Sequence, residues 1–125
     1  GSEMCIRDRF QIFNIPQGIY DVVIDVAELA TNGGGRKKAG LFISKGGEEQ
    51  TPNMDASGNW TENTNLLKSV DFYMPGETYS ENYKDQRFVI ENLTINYEGE
   101  TTLGFVVHFD SNRALKISSI KVLLK

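Results

Sequence analysis

The sequence contains one cysteine, one histidine, one tryptophan and three prolines in 125 residues. A single cysteine closes no internal disulfide, and one His with one Cys leave too few ligands for a zinc site. No apolar run approaches the roughly 20 residues that a membrane-crossing helix needs, so membrane insertion is not expected. Basic residues are in deficit: thirteen Lys and Arg against seventeen Asp and Glu give a net charge of -4. An acidic surface gains nothing from counterion release on a phosphate backbone, which argues against nucleic acid as a partner, and anionic membrane is disfavoured for the same reason. Helical periodicity is missing too. What is present is 39% hydrophobic and 10% aromatic residues in 14.0 kDa, enough for one core and one domain.

The first nine residues stand apart. Gly1-Ser2 resembles the scar of tag removal, and Met4-Cys5-Ile6-Arg7-Asp8-Arg9 resembles translated sequencing-adapter sequence, as carried by genes assembled from metagenomic reads. Residues 1–9 are accordingly expected to be foreign and Cys5 dispensable, with a single domain over 10–125. The native start is then expected upstream of Phe10, its loss leaving an exposed sheet edge beside Phe10, Ile12 and Phe13. Residues 3–9 would fold back over that edge, or two copies would pair across it as a homodimer.

From Phe10 onward the period is two. Tyr20, Val22, Ile24 and Val26 alternate with Asp21, Val23, Asp25 and Ala27, the pattern of a sheet with one wet face. Strands are predicted over 10–15, 19–29, 39–45, 66–74, 88–97, 103–109 and 115–124. Pro16-Gln17-Gly18, Glu98-Gly99-Glu100 and Ser111-Asn112 supply turns. Residues 46–65 and 75–86 read as long irregular connections, and such connections are usually functional or mobile. In the last strand Leu115 and Ile117 share one phase and Ile120, Val122 and Leu124 the other, which predicts a bulge near Ser118-Ser119. Short strands with turns between them, and no helix, indicate an all-β antiparallel sandwich.

Two stretches carry a resemblance. Phe10-Gln11-Ile12-Phe13-Asn14-Ile15-Pro16-Gln17-Gly18-Ile19-Tyr20 resembles the opening "Q, strand, L-P-x-G-x-Y" of galactose-binding-like jelly-roll domains of gut Bacteroidota. Gly99-Glu100-Thr101-Thr102-Leu103-Gly104-Phe105, followed by Leu115 to Leu124, is similar to their closing hairpin. These domains often place a Trp before the last strand and an Asp within it, where this chain has Arg113-Ala114 and Ser118-Ser119. The resemblance implies a jelly roll acting as a carbohydrate-binding module of a secreted or cell-surface glycan-processing protein.

Catalytic motifs do not assemble. Gly33-Gly34-Gly35-Arg36-Lys37-Lys38 lacks phosphate-loop spacing and precedes a strand, not a helix. His108 has no G-x-S-x-G partner turn, and no carboxylate pair sits in a recognisable spacing, so no enzyme activity is expected. Asn53, Asp55 and Ser57 alternate before Gly58 as at the start of a calcium loop, but Thr64 stands where a bidentate Glu belongs. The competing reading is an Asx-rich turn.

If each strand reverses the last, loops 31–38, 74–86 and 110–113 share one end of the sandwich and carry Arg36, Tyr79, Tyr83, Asp110, Asn112 and Arg113. Rings that stack on sugar faces, with amide, carboxylate and guanidinium groups beside them, suit a glycan. Loops 16–18, 46–65 and 98–100 share the other end, where Trp60 with Asn53 and Asp55 forms a smaller candidate. Against the carbohydrate-binding reading stands a structural or protein-interaction β-sandwich that binds no sugar.

Overall fold

A computed structural model describes residues 4–6, 10–31, 38–47, 52–55, 59–73, 82–107 and 113–125. The chain is all-β: β1 (Met4–Ile6), β2 (Phe10–Phe13), β3 (Gly18–Thr31), β4 (Lys38–Lys45), β5 (Leu66–Tyr73), β6 (Asn82–Ile95), β7 (Thr101–Val107) and β8 (Arg113–Leu124). They form two antiparallel four-stranded sheets, sheet I in the order β1-β8-β3-β6 and sheet II in the order β2-β7-β4-β5. Every named strand pairing is antiparallel.

The core lies between the sheets, as the period of two dictates. Tyr20, Val22, Ile24 and Val26 turn inward from β3 to meet Ala39, Leu41 and Ile43 of β4 and Leu103 and Phe105 of β7. Phe72 of sheet II stacks on Phe88 of sheet I with ring centroids 4.6 Å apart, tying the layers together near one edge. At roughly 1.5 to 3 kcal/mol per buried large apolar side chain, this shared layer dominates the stability of the fold.

The phase change in the last strand is real and has a partner. Asp25 pairs with Ser119 but Val26 pairs with Ile117, so Ser118 is extra; Glu28 then pairs with Lys116, so Ala27 is extra on β3. The bulge lets Ile117 and Ile120 face the same core, and Ser118 Oγ donates to the Asp25 carbonyl at 3.1 Å.

The Ile15-Pro16-Gln17-Gly18-Ile19-Tyr20 stretch also has a physical reason. The buried Tyr20 hydroxyl donates to the Pro16 carbonyl at 2.7 Å, and a Cβ on Gly18 would press on Leu124 Cδ1 at 3.1 Å.

Two expectations are corrected. The stretch 75–86 is not irregular to its end: β6 starts at Asn82, and Asn82 to Gln86 pair with Ala30 to Val26. Polarity conceals this strand because β6 is an edge with a wet face, so alternation there is between polar residues. The second concerns Met4–Ile6, which form β1 against Leu115–Ile117 of β8 in sheet I. The segment therefore joins β8, while Phe10–Phe13 form the edge of the other sheet against β7.

Candidate functional site

The connection between β4 and β5 does not hang off the end of the sandwich. It folds back over the outer face of sheet II as a narrow hairpin: Asp55 N donates to Asn59 O at 2.8 Å, Thr61 N to Asn53 O at 2.7 Å, and Met54 faces Trp60. Asn53 Oδ1 accepts from Met54 N at 2.8 Å and Asp55 Oδ1 from Asn59 N at 3.0 Å. Both bonds tie the hairpin to its own backbone, and just beyond it Asn63 Oδ1 accepts from Asn65 N at 2.8 Å, the spacing of an Asx turn. Ser57 lies outside the described residues, and among the described residues no three His, Cys, Asp or Glu side chains converge as metal ligands.

The hairpin delivers Trp60 onto Gly40 of β4. A Cβ there would overlap Trp60 Cζ2 and reach Met54 Cε at 3.0 Å, so only glycine admits the indole at this depth. The indole and the Phe42 ring meet edge to face, 6.0 Å between centroids and 76° between planes, and Phe42, which points away from the core, is fully buried beneath the hairpin. Trp60 Nε1 donates to Asp71 Oδ1 at 2.5 Å, and Lys38 Nζ lies 3.6 Å from Asp71 Oδ2. Asp71 pairs with Gly40 across the sheet, and Tyr73, one step further on the same face, pairs with Lys38. Tyr73 is 51% exposed.

The result is a continuous outer patch: the half-buried Trp60, the Asp71 carboxylate with the Lys38 ammonium, and the exposed Tyr73. It brings two aromatic residues, an acceptor and a donor to one face of the sheet.

This relocates Trp60. Strand reversal alone would put it at the end of the sandwich holding 16–18 and 98–100, but the burial of Phe42 pulls the hairpin along the sheet toward Lys38 and Tyr73. Those two residues border 32–37 and 74–81. The strand ends leading into 32–37, 74–81 and 108–112 are neighbours within their sheets: Ala30 opposite Asn82, Thr31 opposite Arg113, Lys38 opposite Tyr73, and Ala39 opposite Val107. Arg36, Tyr79, Asp110 and Asn112 lie outside the described residues. Tyr83 is a strand residue opposite Leu29, not a loop residue, and Arg113 is the first residue of β8. Lys38, Asp71 and Tyr73 belong to no motif in the sequence. A signal for them exists nonetheless, because Val70 and Phe72 alternate with Asp71 and Tyr73, which puts an aromatic on a wet face at a strand end.

Two other hollows differ in character. At the far end, one of about 470 Å³ is lined by Asn14, Ile15, Gln17, Tyr97 and Glu98, among others. Its one ring is already engaged: Tyr97 shares a 2.6 Å hydrogen bond with Thr101 Oγ1 and lies under Lys45 Nζ at 4.9 Å. On the outer face of sheet I, Arg87 grips Asp25 through Nε at 2.6 Å and Nη2 at 3.2 Å, and Ser119 Oγ adds a bond at 3.0 Å. The Arg87 hydrogen bond leads in holding the Asp25 carboxyl below its usual value, desolvation opposing it, and the same bond raises the Arg87 guanidinium.

No family model, no curated protein and no solved structure matches the chain.

Proposed function

We propose that the chain is a non-catalytic carbohydrate-binding module of the jelly-roll, galactose-binding-like type, and that Trp60, Tyr73, Asp71 and Lys38 bind the glycan. The strand order supports the jelly-roll part of this reading. An eight-strand antiparallel ribbon that pairs first with last, and so on inward, yields the pairs β1-β8, β2-β7, β3-β6 and β4-β5, all of which occur here. Rolling that ribbon adds β3-β8 and β4-β7, which also occur. The resemblance at both ends of the chain points the same way and implies a secreted or cell-surface parent protein.

The observation that carries the binding reading is the outer patch itself, in which Trp60 bonds the Asp71-Lys38 pair and the exposed Tyr73 sits opposite Lys38 in the register. Sugar C-H faces stack on rings, and vicinal hydroxyls donate to a carboxylate while accepting from an ammonium. Lys38 and Tyr73 adjoin in sequence the connections 32–37 and 74–81, which hold Arg36 and Tyr79.

A second reading has its own support. Trp60 has Cζ2 and Cη2 against Gly40 and its N-H on Asp71, which is how a tryptophan that merely covers a sheet is held. A glycan array probed with wild type, Tyr73→Ala and Asp71→Ala separates the two. Binding that falls at least about tenfold in both variants, with melting temperatures retained, supports the module. No glycan bound, or equal binding by all three, supports the structural or protein-interaction sandwich instead.

A further inference from the structure

The sheets end in four strands, and they are not equally guarded. The edge of β6 carries two residues in the left-handed region, Asp85 at φ 54° and Asn92 at φ 59°, together with exposed Lys84, Arg87 and Glu91. Left-handed kinks and charges are devices that stop a strand from recruiting another. The edge of β5 holds Lys68 and Asp71, and β2 is only four residues long.

β8 is different. β1 covers only Leu115–Ile117 of it, and among the described residues no strand lies beside Ser118 to Leu124 on that side. This stretch holds a single charge, Lys121. Apolar exposure gathers here as well: Leu124 is 70% exposed, Leu123 half exposed, and Ile19 lies nearby on β3, paired at its end with Lys125 through a 2.9 Å bond.

We infer that a second copy of this chain adds to sheet I through this edge, β8 pairing antiparallel with β8 across a two-fold axis at Val122. Charge and the cover of β1 together decide the register: an axis at Ile120 would need Ile117, which β1 already pairs, and one at Leu123 would set Lys121 opposite Lys125 of the second copy. An axis at Lys121 would set two ammonium groups directly opposite each other, which is unfavourable. An axis at Val122 sets Lys121 opposite Leu123 of the second copy, Ile120 opposite Leu124, and Ser119 opposite Lys125. Ile120, Val122 and Leu124 of both copies then form one apolar strip continuous with the core side of the sheet, which covers Leu124. Because the pair is self-complementary it closes as a dimer and does not propagate through this edge. A single-strand ladder buries less than the roughly 1,200 Å² of a standard interface, so the dimer is weak and concentration-dependent.

Sedimentation equilibrium from micromolar to millimolar protein, in reductant so that Cys5 links nothing, tests this with a charge pair at one half-exposed position. Leu123→Glu places a carboxylate opposite each Lys121 and is expected to tighten association about three- to tenfold; Leu123→Lys places like charges there and is expected to weaken it by a similar factor. Circular dichroism and melting temperature confirm that both variants fold. A wild-type chain that stays monomeric throughout overturns the dimer. Variants that both weaken association, or that both leave it unchanged, overturn this pairing, because an unspecific apolar contact does not distinguish the sign of the charge.

Discussion

The outer faces of the two sheets are built on opposite plans. Sheet I presents Asp25, Arg87 and Ser119 in one hydrogen-bonded row, and Lys125 bonds Asn92 Oδ1 at 2.8 Å while lying 3.6 Å from Asp21. Sheet II buries Gly40, Phe42 and Ser44 on its corresponding face, with Met54 and Trp60 of the hairpin lying over Gly40 and Trp60 against Phe42. Inner faces look alike in the two sheets, since both meet the same core. Outer faces record what covers them, water in one case and the chain itself in the other.

The strongest way to break the contrast is to truncate an outward side chain on each sheet. Phe42→Ala empties a fully buried site beneath the hairpin and is expected to cost about 3 to 5 kcal/mol in urea denaturation. Val89→Ala, also outward but half exposed on sheet I, is expected to stay within about 0.5 kcal/mol. Equal losses would mean that the hairpin does not cover sheet II in solution.

A subtler change sharpens the same point. Gly40→Ala introduces a Cβ where Trp60 Cζ2 already lies, and the indole must move. The expected loss is about 1 to 3 kcal/mol, with a red shift of the single tryptophan's fluorescence as it enters water. An unshifted spectrum at wild-type stability would show that Trp60 does not rest on β4.

The smallest effect belongs to sheet I. Asp25 has a folded pKa below its unfolded one, so its contribution is complete above the ordinary carboxylate range and disappears as pH falls through the folded value. The difference in denaturation midpoint between wild type and Asp25→Asn is expected to be largest near neutral pH and to close in acid. Arg87 is largely exposed, so added salt shrinks the difference further. A gap that widens on acidification would contradict the assignment.

Strand by strand, alternation in the sequence makes most of sheet I and β7 legible, including the bulge at Ser118. It fails at Asn82 to Gln86, where an edge strand replaces apolar alternation with polar residues. At β4 the signal is of another kind, since the run Ala39-Gly40-Leu41-Phe42-Ile43 is apolar on both faces. Such a run marks a strand covered twice, and so points to something lying over sheet II.

Local alternation suffices for the all-β class, the positions of most strands and the side chains that enter the core, because those follow from a period of two acting over neighbouring residues. Tertiary structure alone decided that β1 pairs β8, that the long connection folds back over Phe42, and that Trp60 therefore meets Asp71 and stands near Tyr73 and Lys38. Contacts such as these join residues far apart in the chain, and local periodicity carries no information about them. They are selected by which exposed apolar face remains to be buried once both sheets exist.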